Sequence, residues 1–108
     1  MLYELRVYET VPGRMPALNK RFAEVTLGIW ARHGIEVVAF WTNEIGGHSN
    51  ELVYLLRWQD MADRERKWNA FQRDPEWQEK RAASEADGPI VARLTATFMR
   101  PTPYSPMQ

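Results

Sequence analysis

Glu4, Arg6 and Tyr8 alternate with the apolar Leu5 and Val7 near the start of the chain. In an extended strand, residues two apart share a face, so a carboxylate, a guanidinium and a phenol would project together. The trio has the parts of a ligand site: Arg6 to hold an anionic or carbonyl oxygen, Glu4 to act as base or orienting acceptor, Tyr8 to donate a proton. It equally has the parts of an interface network in which Glu4 and Arg6 neutralise each other. Near the other end Arg93, Thr95 and Thr97 repeat the alternation, and Trp41 closes a strongly apolar segment. These four are further candidates for lining a cavity.

Other chemistries lack their working parts. There is no cysteine, which removes disulfides, thiolate metal sites and cysteine nucleophiles. His33 and His48 are the two histidines, too few for a three-histidine zinc site in one protomer. His33 precedes Gly34 where a helix should end, a place that suits an imidazolium facing free carbonyls, or a titrating group at a cavity rim. His48 sits in the glycine-rich stretch Gly46-Gly47-His48, which reads as a solvated loop. A haem would need only one axial histidine, but the expectation is that the chain holds no cofactor and no metal. No Gly-x-Ser-x-Gly elbow, phosphate-binding loop or dinucleotide fingerprint is present. Fourteen basic and fourteen acidic residues cancel, so neither nucleic acid nor an anionic membrane surface is an expected partner. No window approaches 18 apolar residues, the length a membrane span needs.

The elements that must position these groups are legible from periodicity. Leu2–Glu9 alternates as a strand, and Val11-Pro12-Gly13 breaks it. Leu18, Phe22, Val25 and Ile29 then form a helical stripe, with Pro16 in the first turn and Arg21 off the stripe. Gly34 can take the left-handed position that ends this helix, with Ile35 covering its last turn. Ile35–Thr42 is apolar on both faces. Glu51–Gln59 follows a loop and makes a hairpin with it. Asp60 and Asp74-Pro75 each begin a helix. Arg64-Glu65-Arg66-Lys67 reads as a solvated face of the first, and Trp68, Phe71 and Trp77 as packing residues. Ile90–Met99 is the last strand, and the prolines from Pro101 extend the tail.

This order is β-α-β-β-α-(α)-β, an α+β ferredoxin-like plait: a four-stranded antiparallel sheet with its helices on one face. Residues 1–100 form the domain and 101–108 an extended proline-rich tail. Leu5 and Val7 read as the core side of the first strand, which puts Glu4, Arg6 and Tyr8 on the face away from the helices. That face carries too much apolar surface to stay open, so a second copy laid sheet to sheet is expected to cover it. With Arg6 as a structural counter-ion on this face, Arg6→Met would loosen the dimer or lower stability by roughly 3–5 kcal/mol, because Glu4 would be left buried and unpaired.

Five segments in register resemble the NIPSNAP family: Tyr3-Glu4-Leu5-Arg6-Val7-Tyr8, His33-Gly34-Ile35, Leu52 through Trp58, Asp74-Pro75-Glu76-Trp77, and Pro101 through Pro106. The resemblance implies a dimeric α+β barrel, two ferredoxin-like sheets enclosing a cavity, and a homodimer as the assembly. It implies a domain that binds a small molecule in that cavity. Two alternatives are an enzyme resembling the cofactor-independent monooxygenases or isomerases that act on small cyclic substrates, and a non-enzymatic adaptor. Met1 runs straight into the first strand, without the longer N-terminal region that carries mitochondrial targeting in animal relatives, so a cytoplasmic location is expected.

Overall fold

Alternating residues over Leu2–Thr10 extend as β1, and the chain then runs α1 (Met15–Arg21), a π-helical turn (Phe22–Thr26), α2 (Leu27–Arg32), β2 (Glu36–Thr42), β3 (Glu51–Trp58), α3 (Met61–Gln72), α4 (Pro75–Ser84) and β4 (Val91–Met99). This computed structural model describes all 108 residues. The strands make one antiparallel sheet in the order β2-β3-β1-β4. All the helices lie against one face of it, where Tyr54, Leu56 and Trp58 of β3 meet Phe22, Trp30, Trp68 and Phe71. The fold is therefore the α+β plait expected from the element order.

The helix ends obey local chemistry. Gly34, at φ +71, ends α2 as a Schellman motif: Ile35 N–H donates to the Trp30 carbonyl and Gly34 N–H to that of Ala31. Asp60 caps α3 through the Asp63 N–H, and Asp63 in turn accepts from the Gln59 N–H. Asp74 caps α4 through the Glu76 N–H at 2.9 Å, and its other oxygen takes His33 Nε2–H at 2.7 Å and Arg32 at 3.0 Å. His33 thus ties the end of α2 to the start of α4.

Three features depart from the periodicity. The π-helical turn, where the Thr26 hydroxyl donates back to the Arg21 carbonyl, adds one residue to the turn. It rotates Arg21, Phe22 and Thr26 inward, so Arg21 is buried rather than on the solvent side, and Val25 is only half-buried. A bulge between Val37 and Ala39 puts Val37 and Phe40 on the same, helix-covered face of β2. The largest correction concerns β1. Glu4, Arg6 and Tyr8 point towards the helices, and Leu5 and Val7 lie on the open face. The swap is confined to β1: on β4, Arg93, Thr95 and Thr97 keep the open face, beside Glu9, Val7 and Leu5, while Leu94, Ala96 and Phe98 pair beside Tyr8, Arg6 and Glu4.

Hydrogen bonds from His33 first, then Arg32 and two backbone N–H groups, hold the Asp74 carboxyl down to about 2. A folded-state value below the ordinary 3.8 means that the ionised group stabilises the fold fully above 3.8, and that this is lost as pH falls to about 2. Asp74→Asn should remove this part of the acid sensitivity: urea unfolding midpoints of the wild type should drop across that window more steeply than those of the variant.

Candidate functional site

The Glu4 carboxylate is fully buried between β1 and α3, and burial of a charge requires partners. It has four donors: Arg6 Nη1 at 2.8 Å, Arg64 Nε and Nη2 at 3.1 and 3.2 Å, and Trp58 Nε1 at 3.1 Å. One carboxylate thus serves two guanidiniums, and the cluster carries a surplus positive charge. Trp68 lies within cation–π range of both, 4.5 Å from Arg6 and 5.0 Å from Arg64. Arg64, expected on a solvated face, is instead the second counter-ion of Glu4.

Arg6 also organises two phenols. Its Nε donates to Tyr54 at 2.6 Å and Nη2 to Tyr8 at 3.2 Å, and the Tyr54 hydroxyl donates to that of Tyr8 at 2.8 Å. Burial holds Tyr54 protonated by pushing its pKa well up, and its proton has Tyr8 as its acceptor. The Tyr8 oxygen accepts both of these hydrogen bonds, and its own O–H donates to no group of the protein. Burial works against the charge of Arg6, but attraction to Tyr54, Tyr8 and Glu4 outweighs it and raises the pKa, so the guanidinium stays ionised.

Arg6 and Tyr8 form the inner end of a cavity of about 150 Å³ between sheet and helices. Phe22, Trp30, Trp68, Phe71 and Trp77 supply aromatic walls. Arg21 and Arg81 approach from the helices, with Glu85 as the one acidic lining residue. Burial lowers the pKa of Arg21 and its contact with Glu85 opposes that. Three guanidiniums against one carboxylate make the cavity electropositive. Leu94 borders it on β4, an edge strand that the helices leave exposed.

The candidates from sequence therefore divide. Arg6 and Tyr8 line this cavity, and Glu4 supports them from beside it. Trp41, half exposed, and Arg93, Thr95 and Thr97 lie on the opposite face of the sheet and take no part in it. His33 is committed to Asp74, and the His48 side chain is exposed in its loop. No three His, Asp or Glu side chains are grouped to hold a metal. Sequence reasoning missed Arg21, Trp30, Arg64 and Arg81. A periodic pattern offers no signal for a π-helical turn, and Arg64 stands among charged neighbours that are mostly solvated.

The family model for NIPSNAP matches residues 3–106. This chain belongs to the NIPSNAP family. Human NipSnap homolog 3A is 30% identical over 80 residues, which are 74% of this chain and 32% of that protein. The chain thus spans about a third of the length of the curated relatives it matches. Atu4242 from Agrobacterium tumefaciens, a NIPSNAP family protein of unknown function, superposes with a TM-score of 0.86 at 27% identity, over all of this chain and 94% of that one. SnoaB from Streptomyces nogalater, a cofactor-independent oxygenase, shares the fold: TM-score 0.62 and 14% identity, covering 97% of this chain and 96% of that one.

The shared carboxylate alters the expected cost of losing each partner in this NIPSNAP domain. Arg6→Met leaves Glu4 held by Arg64 and Trp58, so it should cost less than the roughly 3–5 kcal/mol of an orphaned buried charge. Glu4→Leu strands two guanidiniums and should incur that full penalty. Urea denaturation of both variants checks the order, and the opposite order would show that Arg64 does not share the charge.

Proposed function

We propose that this NIPSNAP domain binds a small organic anion of single-ring size in the cavity between its sheet and helices. The observation that carries this reading is the buried Arg6 guanidinium at the inner end of an aromatic-walled cavity. Three of its five N–H groups are committed to Tyr54, Glu4 and Tyr8, and two remain for a ligand. Size sets the ligand class. A cavity of ~150 Å³ is enough for benzene in an engineered protein core, whereas drug-sized ligands occupy roughly 300–1,000 Å³. Arg21 and Arg81 add the electrostatic preference for an anion over a neutral ring.

The same reading includes a homodimer packed through the open faces of two sheets. Leu5, Val7, Val53 and Leu55 form a half-buried apolar centre there, and Trp41 is 50% exposed beside them. Large apolar groups clustered on one face of a small domain favour a protein partner. A second, catalytic reading is favoured by one observation, the Tyr8 hydroxyl, whose proton has no acceptor in the protein and which stands next to Arg6. SnoaB supports this only as a fold analogy.

Calorimetric titration with benzoate and with benzyl alcohol tests the ligand class. Saturable binding of benzoate, at least about tenfold tighter than benzyl alcohol (roughly 1.4 kcal/mol), is expected, and Arg21→Gln should weaken it. Equal affinity for the two, or no binding of either, overturns the reading. For the assembly, light scattering should give twice the monomer mass, and Val7→Asp should return the monomer.

A further inference from the structure

Resting on that reading of the cavity, we propose that the site takes its ligand as a ring-bound oxyanion, a phenolate or enolate, and ionises the bound hydroxyl. Arg6 and Tyr8 offer the cavity donors only; the lining groups able to accept, Thr26, Gln72 and Glu85, come from the helical side. Arg6 has no lone pair to give, and its two uncommitted N–H groups are one on each Nη. The Tyr8 oxygen already accepts from Tyr54 and from Arg6, so what it presents is a proton. Glu4 is saturated by Arg6, Arg64 and Trp58 and lies beside the cavity rather than in its wall. A neutral hydroxyl placed here would aim its own proton at donors and leave it unbonded. The ionised oxygen accepts from Tyr8 and Arg6 together, beside a cluster whose single buried carboxylate is shared between two guanidiniums. In water-poor surroundings such contacts favour the charged form strongly.

The geometry of Arg6 leaves it able to serve a single oxygen. A guanidinium grips a carboxylate through two parallel N–H groups, commonly along its Nε edge. Here that edge is already occupied by two phenol oxygens 2.8 Å apart, which leaves one N–H on each Nη for a ligand. What remains is one hydroxyl proton from Tyr8 and single N–H groups, a set that suits one oxygen atom on a ring held between Trp68, Phe71 and Phe22. The step balances simply. The ligand O–H bond breaks, its electron pair stays on oxygen, and the proton passes to water at the mouth, where Gln72 and Arg81 are exposed. The bound ring is left in its electron-rich form.

4-Nitrophenol tests this, because its phenolate alone absorbs in the visible. With the full chain in excess, a pH titration should show the probe ionising at a midpoint at least about one unit below its value in buffer, a tenfold rise in acidity. Binding between that midpoint and the free value should release a proton, detectable in unbuffered solution. Tyr8→Phe should return the midpoint most of the way to the free value, provided its unfolding transition stays cooperative. The wild-type titration decides the matter even if that variant does not fold. Binding of 4-nitrophenol with an unshifted or raised midpoint, while benzoate still binds, overturns this proposal and leaves the anion site standing. If neither probe binds, both readings fall.

Discussion

Much of this molecule is arranged around the buried carboxylate of Glu4. Its charge is paid for by four donors drawn from three elements, Arg6 on β1, Trp58 on β3 and Arg64 on α3. These bonds lock α3 to the centre of the sheet at a fixed height and register. An apolar contact could slide by a residue, but a carboxylate sharing two guanidiniums and an indole N–H cannot do so without exposing a bare charge to a low-dielectric interior. Such a network specifies one arrangement more than it adds net stability.

That arrangement leaves a positive residue of charge in the right place. Because Arg64 takes part of the Glu4 charge, Arg6 is free to turn its Nε edge to Tyr54 and Tyr8 and to present the rest of its guanidinium to the cavity. The aromatic rings hold it there. Trp68 lies near both guanidiniums; Phe22 packs edge to face on Tyr54 and Trp30, Trp30 does so on Phe71, and Phe71 meets Trp68 at a tilt. Flat, rigid side chains of this kind fill space with few rotatable bonds, so a small cavity can persist among them without collapsing. The π-helical turn completes the wall by rolling Arg21 towards the interior, where Glu85 and the Ser84 hydroxyl meet it.

The two faces of the sheet divide the labour. The helix-covered face holds the polar network and the aromatic walls, while the open face presents aliphatic side chains with ion pairs toward its margins, Glu36 with Arg57 and Glu9 with Arg93. The usual association of charge with solvent is inverted in β1. The polar residues need a dry, partnered environment to act together, and the aliphatic ones are left for another surface.

Residues close in sequence determined a good deal unaided. The strand periods, the caps Asp60 and Asp74, the Gly34 stop and the order of elements are set by local steric and hydrogen-bonding preferences, and they suffice for the α+β plait. Alternation also grouped Glu4, Arg6 and Tyr8 correctly, because a period of two is a property of the chain itself. Which side of the sheet they face is not such a property. A strand with one aliphatic and one polar stripe reads as core and surface. Only the arrival of Arg64, Trp58 and Tyr54 from distant segments makes burial of the polar stripe tolerable. The tertiary structure likewise decided that the sheet separates Arg93, Thr95 and Thr97 from Glu4, Arg6 and Tyr8, because cross-strand register is fixed by pairing between residues some ninety positions apart. It also decided that Arg21 turns inward, because one extra residue in a helical turn rotates a side chain by about 100° and leaves no mark on composition.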